Sequence, residues 1–201
     1  HVAKAANNVI PESGGFEAAE ILDLIPHYSG VTLFGAPTMI VRMMASPAMA
    51  EADTTNLKLL YYGGAPMYMA DVERALEVFG PKLVQIYGQG EAPMNISYLS
   101  REFYADRSHP RYAERIASTG ISRTDCEFRV VDEDDKTLPP GEAGEVVVRG
   151  DIVMTGYWQD PVATAATLRG GWLHTGDIGS VDEDGFLTLL DRSTDMIISG
   201  G

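Results

Sequence analysis

Gln85-Ile86-Tyr87-Gly88-Gln89-Gly90-Glu91 is the stretch on which the reading of this chain turns. It overlaps residues 82–86, a short apolar run that predicts a buried strand. From Tyr87 to Glu91 it gathers one aromatic ring, two glycines and a carboxylate. Glycine lets a backbone approach a ligand closely. A tyrosine ring offers a flat face for stacking on a base, and a carboxylate suits a hard cation such as magnesium. These are the parts of a nucleotide-triphosphate site. Taken alone the heptapeptide is a weak signal, because a Gly-rich turn that binds nothing has the same composition.

Working upstream, the chain alternates. Residues 16–25 place Ala18, Ile21, Leu22 and Ile25 at i, i+3, i+4 and i+7, one face of a helix, and Pro26 ends it. Residues 31–34 are a short β-branched, apolar strand. Pro37 then opens a methionine-rich helix, whose Met39, Met43 and Met44 read as core filling before they read as an adaptable pocket wall. A strand at 57–62 runs into Gly63-Gly64-Ala65-Pro66. A helix over 69–79 follows, with Val72, Ala75, Leu76 and Phe79 on one face. Helix and strand in strict alternation predict a parallel-type sheet with flanking helices. Ligands bind such sheets at the carboxyl ends of strands. Both Gly-rich stretches, 63–64 and 88–90, fall at such ends and form one cleft more economically than two unrelated turns.

Downstream the period changes. Residues 95–99 read as one more strand. Residues 101–115, charged and interrupted by Pro110, read as a surface connection. After Ala117 come short β-type runs at 127–131, 145–149, 178–181 and 186–190, separated by turn-rich segments, with a short helix expected at 161–168 behind Pro161. The fold class is therefore α/β, a parallel-type sheet with flanking helices followed by a small antiparallel β-barrel-like subdomain. Asp182-Glu183-Asp184-Gly185 resembles the start of a calcium loop. A strand follows it at once and no glutamate closes a twelve-residue loop, so hairpin chemistry explains it better.

Bulk properties narrow the function. A net charge of -14 over 201 residues disfavours a phosphate backbone or an anionic membrane surface as partner. Cys126 is the only cysteine, which excludes an intrachain disulfide and points to a reducing, cytoplasmic setting. No run of about 18 apolar residues marks a membrane span. The chain opens at His1 and closes on Ser199-Gly200-Gly201 directly after an apolar run, so a piece of a longer protein is expected.

The motifs fall in a known order: Gly63-Gly64-Ala65-Pro66; Tyr87-Gly88-Gln89-Gly90-Glu91; Gly144-Glu145 with Arg149-Gly150 and Gly156-Tyr157-Trp158; Gly171-Trp172-Leu173-His174-Thr175-Gly176-Asp177; and Asp191-Arg192 running to Ile197-Ile198-Ser199-Gly200-Gly201. In this the chain resembles the AMP-forming acyl-CoA synthetases of the adenylate-forming superfamily, which includes firefly luciferase and peptide-synthetase adenylation domains. The resemblance implies an ATP-dependent ligase of fatty acid metabolism or of aryl acids. A carboxylic acid attacks the α-phosphate of ATP, and the acyl group then passes to CoA. It implies that Glu91 helps hold Mg2+, that Tyr87 packs on adenine with Gly88 and Gly90 beside it, and that Gly64, Ala65 and Pro66 lie between adenine and the acyl pocket. It implies further that Asp177 accepts from the ribose hydroxyls, that Arg192 contacts the ribose region, and that His1, Gly63 and Gly64 line the acyl pocket. Against these roles stand the blander readings of Asp177 as a turn residue, Arg192 as a surface cation and Tyr87 as a core ring, which the resemblance makes the lesser ones. Trp158 and Trp172 read as structural, and His174 as packing rather than a general base.

The same resemblance implies boundaries: a partial α/β subdomain at 1–115, a small β subdomain at 116–190, and a hinge with the start of a further domain at 191–201. It also exposes departures. Gly90 stands where the family has a threonine, and Thr194 stands at the hinge position where aspartate or lysine is usual. The phosphate loop with its lysine is expected upstream, and the C-terminal domain with the adenylation lysine downstream. The 201 residues by themselves are therefore expected to be inactive. A carrier protein in place of CoA, or a degenerate nucleotide-binding module, are the alternative readings.

Overall fold

The computed structural model describes residues 6–192. Its first sheet carries β1 (Val31–Gly35), β2 (Leu57–Tyr62), β3 (Leu83–Gln89), β4 (Ala92–Leu99) and β5 (Ile121–Ser122) in that spatial order. β1, β2 and β3 run parallel, and β4 and β5 are added antiparallel at one edge. The parallel steps need crossovers. These are α2 (Pro37–Ala45), with Pro37 in its first turn, and α3 (Met69–Phe79), which ends at Gly80 with φ 75. α3 buries the predicted stripe Val72, Ala75, Leu76 and Phe79, and α2 buries Ile40, Met43 and Met44. Met43 and Met44 are thus core. Together with Leu22 of α1 (Ala18–Leu24), Leu60 and Leu83 they form one apolar cluster against the sheet.

The heptapeptide is more strand than loop. β3 continues through Gln89, which pairs with Ala92, so Gly90 and Glu91 are the whole turn of a tight hairpin. Next to the turn the ladder is irregular. Tyr87 faces Ser97 and Gln89 faces Ala92, so β4 carries extra residues here, and Met94 takes a positive φ of 54. The distorted strand presses on Gly88, where an added Cβ would lie 2.3 Å from the Met94 nitrogen. Gly88 is demanded by that close approach.

The segment 101–115 departs from expectation. It holds α4 (Arg101–Ala105) and the start of α5 (Tyr112–Ala117), and both Tyr104 and Ile116 are buried. Helices of five and six residues are too short to show a repeat, and Pro110 between them disguised both. The charges are not simply solvated. Arg111 pairs with Asp182 at 2.5 Å and with Asp184 at 2.9 Å, and Arg115 pairs with Asp184 at 3.2 Å. The acidic hairpin turn is therefore docked on α5. Its Asp182 Oδ1 accepts from the amides of Asp184 and Phe186, the turn chemistry expected of the sequence.

The second sheet is antiparallel throughout: β6 (Cys126–Val131), β7 (Gly144–Gly150), β8 (Leu173–Val181) and β9 (Leu187–Arg192), in sequential order as a curled half-barrel. α6 (Pro161–Thr167) lies between β7 and β8, capped by the Asp160 carboxylate on the Ala163 amide. β8 starts five residues earlier than the expected strand at 178 and takes in the segment His174 to Asp177. The sheets meet along a seam. The Thr119 amide donates to Leu187 O and the Leu187 amide to Gly120 O, while Tyr87, Ala92 and Ile96 pack with Val130, Val146, Val148, Leu173 and Leu187. Among the described residues no helix is long and apolar enough to cross a membrane.

Candidate active site

The seam brings together residues far apart in sequence. Tyr87 lies in β3 and Asp177 in β8, and the Tyr87 hydroxyl donates to Asp177 Oδ2 at 2.6 Å. Both are buried, at 9% and 4% exposure. The distance is short, as expected for a phenol on a carboxylate. Tyr87 also belongs to the core cluster, in keeping with the core reading of its ring.

Asp177 reaches Tyr87 because β8 is bulged. His174 pairs with Val147 and Ile178 with Glu145, so four steps along β8 match two along β7. Gly176, at φ 70, turns the backbone inside the bulge. One side chain stitches it down. Glu145 Oε1 accepts from the Gly176 amide at 3.1 Å, and Glu145 Oε2 lies 2.8 Å from His174 Nδ1. Thr175 Oγ1 donates to Val146 O and accepts from the Asp177 amide. His174 is held by Glu145, with Asp135 3.8 Å from its Nε2. Its ring is buried beside the bulge. Directly across the ladder, Asp177 is in register with Arg192 of β9.

Glu91 occupies the second position of the β3–β4 turn. Its backbone carbonyl accepts from the Met154 amide at 2.8 Å, and its Oε1 accepts from the Tyr157 hydroxyl at 2.6 Å. The Glu91 carboxylate beside it holds the Tyr157 phenol above its ordinary pKa, with partial burial as the lesser cause. Gly90, the other turn residue, has no positive φ, and an added Cβ would meet nothing within 4 Å. Neither backbone nor packing requires glycine there. Gly63 is different. Its Cβ would lie 2.4 Å from Ile86 O, so the Gly63-Gly64-Ala65-Pro66 segment leaves β2 pressed against the residue that precedes Tyr87. Gly64, at φ 84, begins the exposed part of that segment with Ala65 and Pro66. His1 and Thr194 lie outside the described residues. The tryptophans split: Trp172 is buried, with the guanidinium carbons of Arg129 and Arg149 4.1 and 4.6 Å from its ring centroid, whereas Trp158 is 89% exposed.

A sequence profile described as AMP-binding enzyme matches residues 1–158, well over half of the chain. The chain belongs to that family. It is 40% identical over 186 residues to a feruloyl-CoA synthase of Amycolatopsis, covering 92% of this chain and 36% of the relative. It is 34% identical over 186 residues to a medium/long-chain-fatty-acid–CoA ligase of Mycobacterium tuberculosis, covering 92% of this chain and 31% of the relative. Among solved structures, the amide bond synthetase McbA of Marinactinospora thermotolerans superposes with a TM-score of 0.82 at 38% identity, over 91% of this chain and 36% of that one. The fold is that of adenylate-forming enzymes, as the motif order implied. The chain spans about a third of the length of these relatives.

An AMP-binding enzyme has to offer groups that suit a nucleotide's phosphates and hydroxyls. Among the described residues no group of three or more His, Cys, Asp or Glu converges to hold a metal. A lone carboxylate such as Glu91 suits Mg2+, which keeps its waters and shares phosphate oxygens. It does not suit zinc, which wants a protein cage. The buried Asp177 carboxylate is acceptor-only, the chemistry a pair of ribose hydroxyls requires. The residues present fit the nucleotide and its cation. Sequence reasoning missed the parts played by Glu145, Thr175 and Tyr157. All three lay in quoted motifs, which was the available signal.

Proposed function

We propose that the protein carrying this chain is an acid–thiol ligase that activates a fatty or aryl carboxylic acid with ATP and passes the acyl group to CoA. The observation that carries this reading is the 2.6 Å hydrogen bond from Tyr87 to Asp177. It joins the two motifs expected to face adenine and ribose, one turn away from Glu91. In the first step a carboxylate oxygen of the acid bonds to the α-phosphorus and the bond to pyrophosphate breaks. Asp177 accepts from the ribose hydroxyls, and Arg192, in register across the ladder, makes a second contact to the ribose region. The Tyr87 ring packs on adenine, with Gly88 and Gly90 beside it. Its hydroxyl, pinned to Asp177, fixes the ring's tilt. Gly64, Ala65 and Pro66 separate adenine from the acyl pocket, to which Gly63 and His1 contribute. Glu91 would hold Mg2+, which would supply positive charge against the phosphates and the acid. The likeness to feruloyl-CoA and fatty-acid–CoA ligases supports both acid classes.

Acid-dependent exchange of labelled pyrophosphate into ATP, run with the full-length protein over a panel of fatty and aryl acids, tests the reading. Exchange with at least one acid is expected, and Asp177→Asn is expected to raise the KM for ATP about tenfold or more by removing charged hydrogen bonds. No exchange with any acid overturns the reading. The 201-residue chain alone is expected to give none. A second reading, in which the acyl group goes to an acceptor other than CoA, draws on the likeness to an amide bond synthetase. Product formation with and without CoA separates the two.

A further inference from the structure

We infer that Tyr157 is a positioning residue for Glu91: its hydroxyl clamps Oε1 of that carboxylate so that Oε2 is presented to the divalent cation. The inference rests on the reading that Glu91 holds Mg2+. Its geometry is independent of that reading. The Tyr157 hydroxyl donates to Glu91 Oε1 at 2.6 Å, and charge-assisted bonds of this length are among the stronger ones. The segment that carries Tyr157 is tied at both ends. The Met154 amide donates to Glu91 O at 2.8 Å, and the Tyr157 amide donates to Thr164 Oγ1 at 2.9 Å. Thr164 Oγ1 in turn donates to Asp160 O at 2.7 Å. Gly156 leaves no room for slack, since an added Cβ would lie 2.8 Å from Thr164 Cγ2. The phenol is therefore delivered from a fixed frame, α6 and its cap, onto a side chain that stands on a two-residue turn.

Free rotation of a glutamate carboxylate costs binding, because the ion has to order it. A partner that fixes one oxygen removes that cost, and loss of such partners weakens metal affinity by about 10- to 100-fold. The alternative, that Tyr157 competes with the ion for the carboxylate, predicts the opposite sign.

The test is Mn2+ binding to the full-length protein, followed by electron paramagnetic resonance in the presence of a non-hydrolysable ATP analogue. Tyr157→Phe is expected to weaken Mn2+ about tenfold and to leave AMP binding without metal unchanged. Glu91→Gln is run alongside, and the double variant is expected to bind no more weakly than Glu91→Gln alone. Unchanged or tighter Mn2+ binding in Tyr157→Phe, with a clear loss in Glu91→Gln, overturns the positioning role and leaves the reading of Glu91 standing. No loss in Glu91→Gln overturns that reading and the inference with it.

Discussion

Gly88 and Gly90 stand two residues apart and answer to different constraints. Gly88 is pinned by the Met94 backbone, so Gly88→Ala is expected to cost about 2 to 3 kcal/mol, as overpacking against a main chain does. Gly90 meets nothing and has no strained φ. Gly90→Thr is expected to change stability by less than about 1 kcal/mol, which parallel urea titrations of the two variants will check. The same Gly90→Thr protein probes the missing hydroxyl. A large gain in adenylation is expected if the phosphate lacks a donor at this turn, whereas unchanged, substantial exchange removes the degenerate reading. At this scale the sequence was informative about identities and silent about contacts. Tyr87, Glu91 and Asp177 were all legible as candidates because each sits in a dense motif. That Tyr87 touches Asp177 was not, because a bond spanning 90 residues leaves no local periodicity.

At the scale of elements, long helices and strands were readable and short or irregular ones were not. α3 carries an eleven-residue amphipathic stripe and was found almost to the residue. α4 was invisible, yet its Tyr104 anchors the first sheet. The Tyr104 hydroxyl lies 2.6 Å from that of Tyr62, and Tyr62 also donates to Gln85 Oε1. Burial pushes the Tyr62 phenol up from 10.0 to about 12, and Tyr104 well above its ordinary value. A raised phenol favours the fold in its protonated form. Its contribution is fully present below about pH 10 and is lost as the pH rises through about 12, roughly 2–3 kcal/mol for Tyr62. Denaturant midpoints measured across that window are expected to fall, and to fall less steeply in Tyr62→Phe. A curve of equal steepness in the variant would show that other groups carry the alkaline transition. The bulge in β8 was unreadable for another reason: its cause, Glu145, lies on the neighbouring strand.

Over the whole molecule, two sheets share one seam, and the candidate site lies along it. The class of fold followed from the switch between helix–strand alternation and short β runs. The seam did not, because its backbone bonds are made by Thr119, Gly120 and Leu187, three residues whose pairing is purely tertiary. The buried Trp172 has a consequence of its own. The chain has two tryptophans, both after residue 150. Trp158 is already solvated, so its emission colour has little left to change on unfolding. Trp172, sandwiched near two guanidinium groups in the second sheet, is the residue whose emission shifts. Tryptophan emission of the 201-residue chain, excited selectively over tyrosine, is thus a reporter of the second sheet and blind to the first, whereas far-ultraviolet ellipticity is weighted toward α1, α2 and α3 on the first. Coincident melting curves from the two signals are expected if the seam makes one cooperative unit. Separated curves would mean that the two halves of the site come apart before either sheet is lost.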